Sequence, residues 1–400
     1  MKILFLTDNF PPEYNAPATR TYEHCKEWVR LGADVTVITC FPNFPRGKIF
    51  DGYKNKWKEV EIIDGIRVIR VWSFISANQG TFKRTLDFLS FAATSLLAGL
   101  RVRCDIIIAT SPQFFTAVSG GTLSFIKRKP WVMEVRDIWP ESIKAVGAVK
   151  SPWVLAQLEK LELFLYRRAQ KIIVVTDSFK INLVLRGVHP DKIFVVKNGV
   201  DLSLFQPLQK NVQLIQKLQL ERKFVVGYVG THGLAHSLDF IVQSISKIND
   251  LTYHFLFIGD GAEKNRIMQL SANLNLRNIT FIDPVKKSEI DQYLALLDVA
   301  LVPLRRSSTF ESVIPSKIFE TAAMNVPILL GVNGESRAII EQYNAGIYFE
   351  PENEDDFIAK LHSIREKIQS ANIFIAGCRK MADDFDRRKL ARQMLDTLSL

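Results

Sequence analysis

Residues 298–320 read DVALVPLRRSSTFESVIPSKIFE, a stretch that predicts a strand, a polar loop and the start of a helix. Asp298 to Leu304 is apolar enough for a buried strand, and a helix is expected to begin near Ser316. The first turn of a helix favours a bound anion, because its amide groups are unpaired and the positive end of its dipole lies there. Lys317 adds a positive charge in this turn, and the carboxylate of Glu320 can accept hydrogen bonds from a sugar diol. The stretch therefore predicts a site for a phosphate and a sugar at one helix tip.

The same pattern of strand, loop and helix recurs along the chain. Runs rich in Val, Ile and Leu occupy residues 2–8, 34–40, 66–72, 105–110, 131–137, 171–177 and 192–198, and then 224–230, 253–259, 278–283, 298–304 and 326–331. Near-continuous apolar strands that alternate with helices are typical of parallel sheets covered on both faces. The sequence therefore predicts an α/β protein of doubly wound, Rossmann-like domains, whose ligands bind at the carboxyl ends of the strands.

Two domains are predicted, because 400 residues exceed one ordinary hydrophobic core. The strands stop after Asn198-Gly199-Val200-Asp201 and resume only at Phe224. We expect residues 1–200 to form an N-terminal domain and residues 201–377 a C-terminal domain that faces it across a cleft. Residues 378–400 are charged and helical in pattern, and they are expected to return to the first domain.

The positive charge of the chain is unevenly distributed. The net charge of +10 comes with 47% hydrophobic and 24% charged residues, as in a soluble globular protein. Residues 1–200 contain 29 Lys and Arg against 18 Asp and Glu, whereas residues 201–400 contain 23 against 24. A basic first half suits an anionic membrane surface or a phosphorylated lipid, although it can also be a solubilising surface excess. Nucleic acid is not expected, because no binding motif accompanies the charge.

Nothing in the sequence predicts export or a membrane span, so a cytoplasmic protein is expected. The first apolar run meets Asp8 too early for a signal peptide. The longest apolar run, Leu86 to Leu100, is shorter than the roughly 20 residues that cross a bilayer. Basic residues flank it, so it is either a peripheral membrane contact or a buried core helix; they are Lys83, Arg84, Arg101 and Arg103. The four cysteines form no CxxC pair and are expected to be reduced thiols.

Seven segments, in this order and spacing, resemble one enzyme family. They are FPPEYNAPATR (10–20), VRDIWPES (135–142), VVTDSF (174–179), NGVD (198–201), GYVGTHGLAHSLD (227–239), IGDG (258–261) and PSKIFE (315–320). The chain resembles the GT-B glycosyltransferases of the large retaining family four. The resemblance is greatest to its bacterial branch that assembles surface polysaccharides, which includes N-acetylfucosaminyl (fucosamine) transferases.

The resemblance implies that the second domain binds a nucleotide sugar, expected to be UDP-linked. The implied donor-binding residues are Gly230, Thr231, His232, Gly233, Gly259, Asp260, Pro315, Ser316, Lys317 and Glu320. Relatives carry an Arg and a Lys after the first turn, and this chain has neither. Backbone amides, His232 and Lys317 are therefore expected to bind the diphosphate. Relatives also carry two glutamates eight positions apart; Glu320 is the second, the expected ribose ligand, while Ser312 replaces the first and Glu311 lies one residue away.

The first domain is expected to bind the acceptor. Glu13, Asn15 and Arg20 lie on the loop after the first strand and are the candidate acceptor-binding residues. Asp137, Glu141 and Glu311 are the candidate catalytic residues, as groups that orient the acceptor hydroxyl or meet the donor sugar. Two alternatives stay open here: Asp137 as a helix cap, and Trp139 as a sugar platform or as core.

The function implied is retaining transfer of a sugar, such as an N-acetylated deoxysugar, to a glycan on a polyprenyl diphosphate. Such a reaction belongs to O-antigen, capsule or exopolysaccharide assembly at the cytoplasmic face of the inner membrane, where the protein is expected to be peripheral. No cofactor and no metal are expected: His232 and His236 lie four residues apart, but no third ligand accompanies them. The alternatives are a UDP-sugar 2-epimerase of the same fold and a non-catalytic partner subunit. The basic first half favours a transferase, because an epimerase needs no acceptor.

Overall fold

The chain forms two compact units. The computed structural model describes residues 1–44, 46–76, 81–139, 151–286, 288–371 and 373–399. The first unit contains residues 1–197 and 388–400, and the second contains residues 198–387. These limits differ from the predicted boundaries at 200 and 377, since Cys378 to Arg387 belongs to the second unit. The reason is packing: Cys378, Met381 and Ala382 are buried in the second unit's core.

The first unit is built on an eight-stranded sheet in the order β3-β4-β2-β1-β5-β6-β7-β8. Its strands are β1 (Lys2–Leu6), β2 (Asp34–Cys40), β3 (Lys58–Ile63), β4 (Ile66–Val71), β5 (Ile106–Thr110), β6 (Trp131–Val135), β7 (Lys171–Val174) and β8 (Ile193–Val195). In the described part of the chain only β3 is antiparallel. This edge strand was not predicted, because its residues alternate between exposed and half-buried instead of forming an apolar run. Asp64 and Gly65 both have positive φ angles, 48° and 79°, in the tight turn that joins it to β4.

Helices cover both faces of this sheet. They are α1 (Ala16–Arg30), α2 (Thr81–Leu100), α3 (Phe114–Lys127), α4 (Pro152–Arg168) and α5 (Asp177–Leu185). The helix α2 contains the predicted apolar segment, and it is half-buried: Phe91 and Ser95 are buried, whereas Leu89 and Leu97 are exposed. One face of this segment thus packs on the core, as the second alternative expected, and the other face is exposed, so the membrane contact stays a prediction.

The second unit is built on six parallel strands in the order β11-β10-β9-β12-β13-β14. They are β9 (Phe224–Val229), β10 (Tyr253–Ile258), β11 (Ile279–Ile282), β12 (Val299–Pro303), β13 (Ile328–Gly331) and β14 (Gly346–Tyr348). The helices are α6 (Val212–Lys217), α7 (Leu238–Ile245), α8 (Lys264–Asn273), α9 (Ile290–Leu294), α10 (Ser308–Glu311), α11 (Lys317–Ala323), α12 (Glu335–Tyr343), α13 (Glu354–Ala371) and α14 (Ile375–Asp384). The predicted strand at 298–304 and helix at 316 correspond to β12 and α11.

The last helix, α15 (Arg387–Ser399), packs on the first unit. Leu390, Met394 and Leu398 recur every four residues and join a core cluster with Trp28. The indole Nε1 of Trp28 donates a hydrogen bond to the carbonyl of Ala391 at 2.8 Å. The chain therefore returns to the first unit through an apolar stripe and a buried hydrogen bond.

The parallel strands of each unit end at one edge of its sheet. We call the loops at these ends the first carboxyl edge and the second carboxyl edge. The first consists of residues 7–15, 41–44, 46–57, 72–76, 111–113 and 136–139, and the second of residues 230–237, 259–263, 304–316 and 332–334. None of the helices within the described ranges is long and apolar enough to cross a membrane.

Candidate active site

The ammonium group of Lys317 is buried at the second carboxyl edge and has no hydrogen-bond partner among the described residues. Its Nζ lies 4.1 Å from the centroid of the Tyr228 ring. Gly230 leaves room for it, because a Cβ on Gly230 would lie 2.8 Å from that nitrogen. Burial lowers the pKa of Lys317 to about 8, and Glu320 opposes the shift. Burying an unpaired cation is costly, so the arrangement indicates a site that an anion completes.

Tyr228 supports both this cation and the turn beside it. Its ring is fully buried on β9, and its hydroxyl donates a hydrogen bond to the carbonyl of Thr231 at 2.6 Å. The rings of His232 and His236 lie 5.7 and 5.8 Å from it. Tyr228 was not predicted to be a site residue, because a tyrosine in a buried strand cannot be distinguished from an ordinary core residue by pattern alone.

The turn after β9 lies against the turn after β10. The amide of Gly230 donates to the carbonyl of Ile258 at 2.9 Å, and the amide of His232 donates to the carbonyl of Asp260 at 2.8 Å. Gly259 has a φ of +140°, and a Cβ there would lie 2.0 Å from the carbonyl oxygen of Gly230. Only glycine therefore permits this approach. In the part of the chain that the structure describes, the amides of Thr231 and Gly233 have no acceptor, so they remain candidates for phosphate binding.

His232 cannot supply the positive charge that the sequence analysis expected of it. Its side chain is fully buried. Burial, together with Lys264, lowers the pKa of His232 to about 4, against the pull of Asp260. Burial and Lys317 likewise lower the pKa of His236 to about 4. Both rings are uncharged at neutral pH, and the nearby Lys264 is already paired with Asp283 at 2.6 Å, so Lys317 is the cation here that can still take an anion.

The N-terminus of α11 also differs from the prediction, which expected its free amide groups to bind an anion. The amides of Ile318 and Phe319 donate to the carbonyls of Pro315 and Ser316 at 3.2 and 3.1 Å, so these two groups are already occupied. The helix has only seven residues, and the Ser316 side chain makes no cap. The anion site thus depends on the side chain of Lys317 more than on the helix terminus.

Glu320 lies one turn beyond Lys317 and is half-buried. It shares one wall of a small cavity with Lys317 and Thr321, and apolar residues form the rest of the lining. The apolar lining comes from Gly227, Val229, Leu294, Leu297, Ala300, Leu301 and Val302. The two predicted donor-binding side chains thus lie on the same helix and line the same cavity.

Glu311 is exposed at the end of α10. Its Oε1 accepts a long hydrogen bond from the Asn333 side chain at 3.5 Å. Its backbone packs on Gly334, where a Cβ would lie 2.1 Å from the Glu311 carbonyl oxygen. No contact described in the structure joins Glu311 to Lys317. The loop is nevertheless fixed at the second carboxyl edge, so the catalytic assignment of Glu311 stays a prediction.

Arg305 is a cation at this edge that the sequence analysis missed. It follows β12, and its amide donates to the carbonyl of Ala235 at 2.9 Å, which places it beside the turn after β9. Its guanidinium lies 3.9 Å from Asp239. The family resemblance implies cations just after that turn in sequence, whereas here the nearby Arg305 comes from another loop. Only the pairing of the two loops reveals it.

At the first carboxyl edge, Glu13 and Asn15 fix loops in place. Glu13 is buried, and its Oε1 accepts hydrogen bonds from the amides of Asn43 and Phe44 at 2.7 and 2.8 Å. Burial raises the pKa of Glu13 to about 7, although these two amides oppose the shift. Asn15 caps α1 by accepting a hydrogen bond from the amide of Ala18 at 2.8 Å. Both predicted acceptor-binding side chains thus already have structural partners.

Arg20 is also committed to the interior of the first unit. Its Nε lies 2.9 Å from the Glu134 carboxylate, and its two other nitrogens donate to the carbonyls of Lys197 and Val196 at 2.9 Å. The side chain is buried. Burial alone would raise the pKa of Glu134, but Arg20 and Arg136 hold it below its ordinary value. In this geometry Arg20 ties α1 to β6 and to the end of the first unit, so its role in acceptor binding stays a prediction.

The loop after β6 carries Asp137 at the first carboxyl edge. The amides of Arg136 and Asp137 donate to the Ser111 hydroxyl at 2.7 and 3.2 Å, which joins this loop to the one after β5. Asp137 is half-buried. Trp139 stacks on Phe114 with ring centroids 5.7 Å apart and packs on the core. Of the two alternatives for Trp139, a sugar platform or a core residue, the structure agrees with the core residue. Glu141 lies outside the described residues.

Two further carboxyl groups at this edge, those of Asp8 and Asp87, were not predicted. Asp8 follows β1, and burial raises the pKa of its carboxyl group. Asp87, on the first half of α2, has a pKa raised to about 7, by burial and then by the charge of Asp8. Arg84 opposes both shifts. No local pattern predicts that these two residues influence each other, because they are far apart along the chain. Among the described residues, no group of His, Cys, Asp or Glu side chains is placed to hold a metal ion.

Two family models match the chain. Residues 15–199 match the family described as glycosyl transferase 4-like domain. Residues 223–367 match the family described as glycosyl transferases group 1. The chain is a glycosyltransferase. The two matches correspond to the two compact units, and their order is that of the predicted domains.

Known proteins similar to this glycosyltransferase agree with the match. A protein named as a colanic acid biosynthesis glycosyl transferase, WcaI of Escherichia coli strain K12, is 23% identical over 371 residues, which span 90% of this chain and 91% of that protein. The crystal structure of Anabaena HepE with UDP and glucose has a TM-score of 0.72 at 18% identity and covers 100% of this chain and 99% of its own. Sucrose-phosphate synthase from Thermosynechococcus elongatus has a TM-score of 0.76 at 16% identity, with 100% and 98% covered. The fold of the glycosyltransferase is therefore GT-B, with two Rossmann-like domains.

Proposed function

We propose that this glycosyltransferase moves a sugar, with retention of configuration, from a UDP-linked donor to a lipid-linked glycan in the assembly of a bacterial surface polysaccharide. The observation that carries the proposal is the buried ammonium of Lys317, which lies beside Gly230 without a hydrogen-bond partner among the described residues. A diphosphate supplies the negative charge that such a cation lacks. The names of WcaI and of the HepE complex with UDP and glucose support a nucleotide sugar and a polysaccharide product.

The second unit would bind the donor. Lys317 and the amides of Thr231 and Gly233 would bind the diphosphate, with Arg305 as a further cation, and Glu320 would accept hydrogen bonds from the ribose hydroxyls. When the bond between the sugar and the diphosphate breaks, negative charge grows on the leaving oxygen. A positioned ammonium stabilises that charge more in the transition state than in the ground state, which lowers the barrier.

Retention follows if the acceptor attacks the face of the sugar that the diphosphate leaves. The acceptor hydroxyl forms the new bond to the anomeric carbon, and its proton passes to the leaving phosphate oxygen. This route needs no protein carboxylate as nucleophile. Asp137 would orient the acceptor hydroxyl, and Glu311 would meet the donor sugar.

The first unit would bind the acceptor, which we propose is a glycan on a polyprenyl diphosphate at the cytoplasmic face of the inner membrane. The excess positive charge of residues 1–200 supports an anionic partner of this kind. An N-acetylated deoxysugar of the fucosamine type is the proposed donor sugar. The proposal includes catalysis without a metal ion, because Lys317 supplies the charge that a metal would otherwise provide. Activity that survives EDTA would agree with this part.

The test is an incubation of the purified protein with a panel of UDP-sugars, with and without extracted lipid-linked glycans. UDP release that needs the acceptor, and a product whose NMR coupling shows the donor's anomeric configuration, would support the proposal. Formation of a C2 epimer without acceptor would instead indicate an epimerase. Tight UDP binding with no turnover under any acceptor condition would indicate a non-catalytic subunit.

A further inference from the structure

One surface at the first carboxyl edge combines exposed apolar and basic side chains. We call it the basic–aromatic surface. It consists of Lys54, Lys56, Trp57, Lys58, Phe74, Lys83, Arg84, Leu86 and Leu89. Trp57 is 67% exposed and Leu89 is 45% exposed, values that are high for side chains of this size and polarity. Its five cations are accompanied by Asp51 and by Glu59, which lies 3.2 Å from Lys56.

Hydrogen bonds hold the three segments of this surface side by side. The amide of Trp72 donates to the carbonyl of Trp57 at 3.2 Å, which joins the loop before β3 to the loop after β4. The Asn55 side chain donates to the carbonyl of Ser73 at 2.8 Å. The amide of Phe74 then donates to the Ser90 hydroxyl at 2.7 Å, which brings the first half of α2 beside the loops. Trp57, Phe74 and the leucines of α2 therefore belong to one surface.

We propose that the basic–aromatic surface rests on an anionic lipid bilayer. Tryptophan favours the boundary between lipid and water, because its ring is apolar and its N–H needs a polar partner. Each Lys or Arg near an anionic leaflet contributes about 1 kcal/mol of attraction. Four of the five cations are lysines, whose ammonium groups act as mobile point charges suited to lipid headgroups rather than as fixed bidentate ligands. The apolar side chains thus match the apolar region of a bilayer, and the basic side chains match its anionic headgroups.

The location of this surface indicates what a bilayer contact would do for the enzyme. This inference rests on the proposed function, since a lipid-linked acceptor must be taken from the membrane. The loops that carry Lys54, Trp57 and Phe74 lie at the first carboxyl edge, as does the loop of residues 7–15 after β1. The bilayer contact would therefore lie beside the loops proposed to bind the acceptor. Arg101 and Arg103 follow α2 and precede β5, so they lie at the opposite edge of the sheet and are not part of the contact.

The experiment is flotation of the full-length protein with phosphatidylcholine vesicles, with or without phosphatidylglycerol. Wild-type protein is expected to float only with the anionic vesicles. Reversing two charges in Lys54→Glu/Lys56→Glu should weaken that binding at least about tenfold, because each cation contributes about 1 kcal/mol. The matched control is Arg101→Glu/Arg103→Glu, which changes the net charge equally at the opposite edge and should bind like wild type.

The apolar part is tested with Trp57→Ser against Phe125→Ser, a control at the end of α3 whose side chain is 77% exposed. Trp57→Ser should weaken vesicle binding and remove a blue shift of tryptophan fluorescence, whereas Phe125→Ser should change neither. Equal loss in both charge-reversal variants, or equal binding of wild type to neutral and anionic vesicles, would overturn the proposal. So would binding to an oligonucleotide or an acidic protein that depends on Lys54 and Lys56 when vesicles are not bound.

Failure of this inference is distinguishable from failure of the proposed function. All four variants should keep wild-type affinity for UDP and wild-type transfer to a detergent-solubilised acceptor. Transfer by a protein that does not bind vesicles would overturn the membrane contact alone. Vesicle binding through this surface without any transfer would overturn the proposed function alone.

Discussion

The two carboxyl edges have the same architecture and opposite chemistry. At the first edge, Asp8, Glu13 and Asp87 are acids whose pKa values are raised by burial. At the second edge, Lys317 and His232 are bases whose pKa values are lowered by burial. Burial disfavours charge in both cases, so the acids keep their protons to a higher pH than usual and the bases lose theirs at a lower pH than usual. The comparison teaches that burial at equivalent sheet edges favours neutral acids in the first unit and neutral bases in the second.

The largest expected effect is on the cation of the second edge. Lys317→Met should weaken UDP binding about 10- to 100-fold, because a hydrogen bond to a charged group contributes about 1.5–3 kcal/mol. Isothermal titration calorimetry measures it, with Lys217→Met, an exposed lysine at the end of α6, as the control. Unchanged UDP affinity in Lys317→Met would remove the donor site from this edge.

The second prediction concerns pH. Because the pKa of Lys317 is about 8, UDP affinity should fall about tenfold between about pH 7 and 9 as the ammonium loses its proton. Lys317→Met should lack this fall. In the absence of ligand the sign is opposite for stability: the folded pKa lies below the ordinary value of 10.5, so the free energy of unfolding contributed by Lys317 rises with pH between the two values. A flat wild-type binding profile would contradict the assignment.

The third prediction tests the ribose contact of Glu320. Wild type should bind UDP about tenfold more tightly than 2′-deoxy-UDP, since the lost hydrogen bond is to a charged carboxylate. Glu320→Ala, which removes the acceptor oxygens, should reduce this preference to near unity while it leaves the affinity for 2′-deoxy-UDP almost unchanged. A preference that survives the substitution would place the ribose elsewhere.

The fourth prediction separates the two roles of Tyr228. Tyr228→Leu removes the ring under the Lys317 ammonium and should weaken UDP binding about fivefold, because a cation–π contact contributes roughly 1 kcal/mol. Tyr228→Phe keeps the ring and loses only the hydrogen bond to the Thr231 carbonyl, so it should bind more tightly than Tyr228→Leu. Equal loss in both variants would assign the effect to the turn instead of the cation.

The smallest effect is expected at the first edge. The raised pKa of Glu13, about 7, means that the folded protein binds more protons than the unfolded chain between the ordinary value of 4.5 and about 7. The contribution of Glu13 to stability therefore falls as pH rises through that window. Glu13→Gln keeps an acceptor oxygen and should abolish this fall. Urea unfolding at both ends of the window measures it, and an identical pH slope in the two proteins would contradict the prediction.

The parts of the fold that could be predicted are those that depend on local pattern. Apolar runs predicted most of the strands, and the α/β class followed from their alternation with helices. The edge strand β3 escaped, because an alternating, half-exposed strand resembles a loop as closely as a sheet. Residues 378–387 were assigned to the wrong unit because nothing local distinguishes which core an apolar helix face will join.

The site divides in the same way. Lys317 and Glu320 were predicted from their positions on one short helix, where spacing alone brings them together, and their roles in donor binding stay predictions. Arg20 was predicted to bind the acceptor, and only the structure reveals its partner Glu134 on another strand. Tyr228 and Arg305 were missed, because each owes its place to a contact with a residue distant along the chain.

The sequence by itself thus determined the class of fold, the order of its elements and the helix that carries Lys317 and Glu320, since these depend on residues close along the chain. The tertiary structure alone decided which charged groups are buried and what they face. Burial sets the pKa of Lys317, of His232 and of Glu13, and burial is a property of the packed chain. For that reason the opposite chemistry of the two carboxyl edges appears only once the strands are assembled.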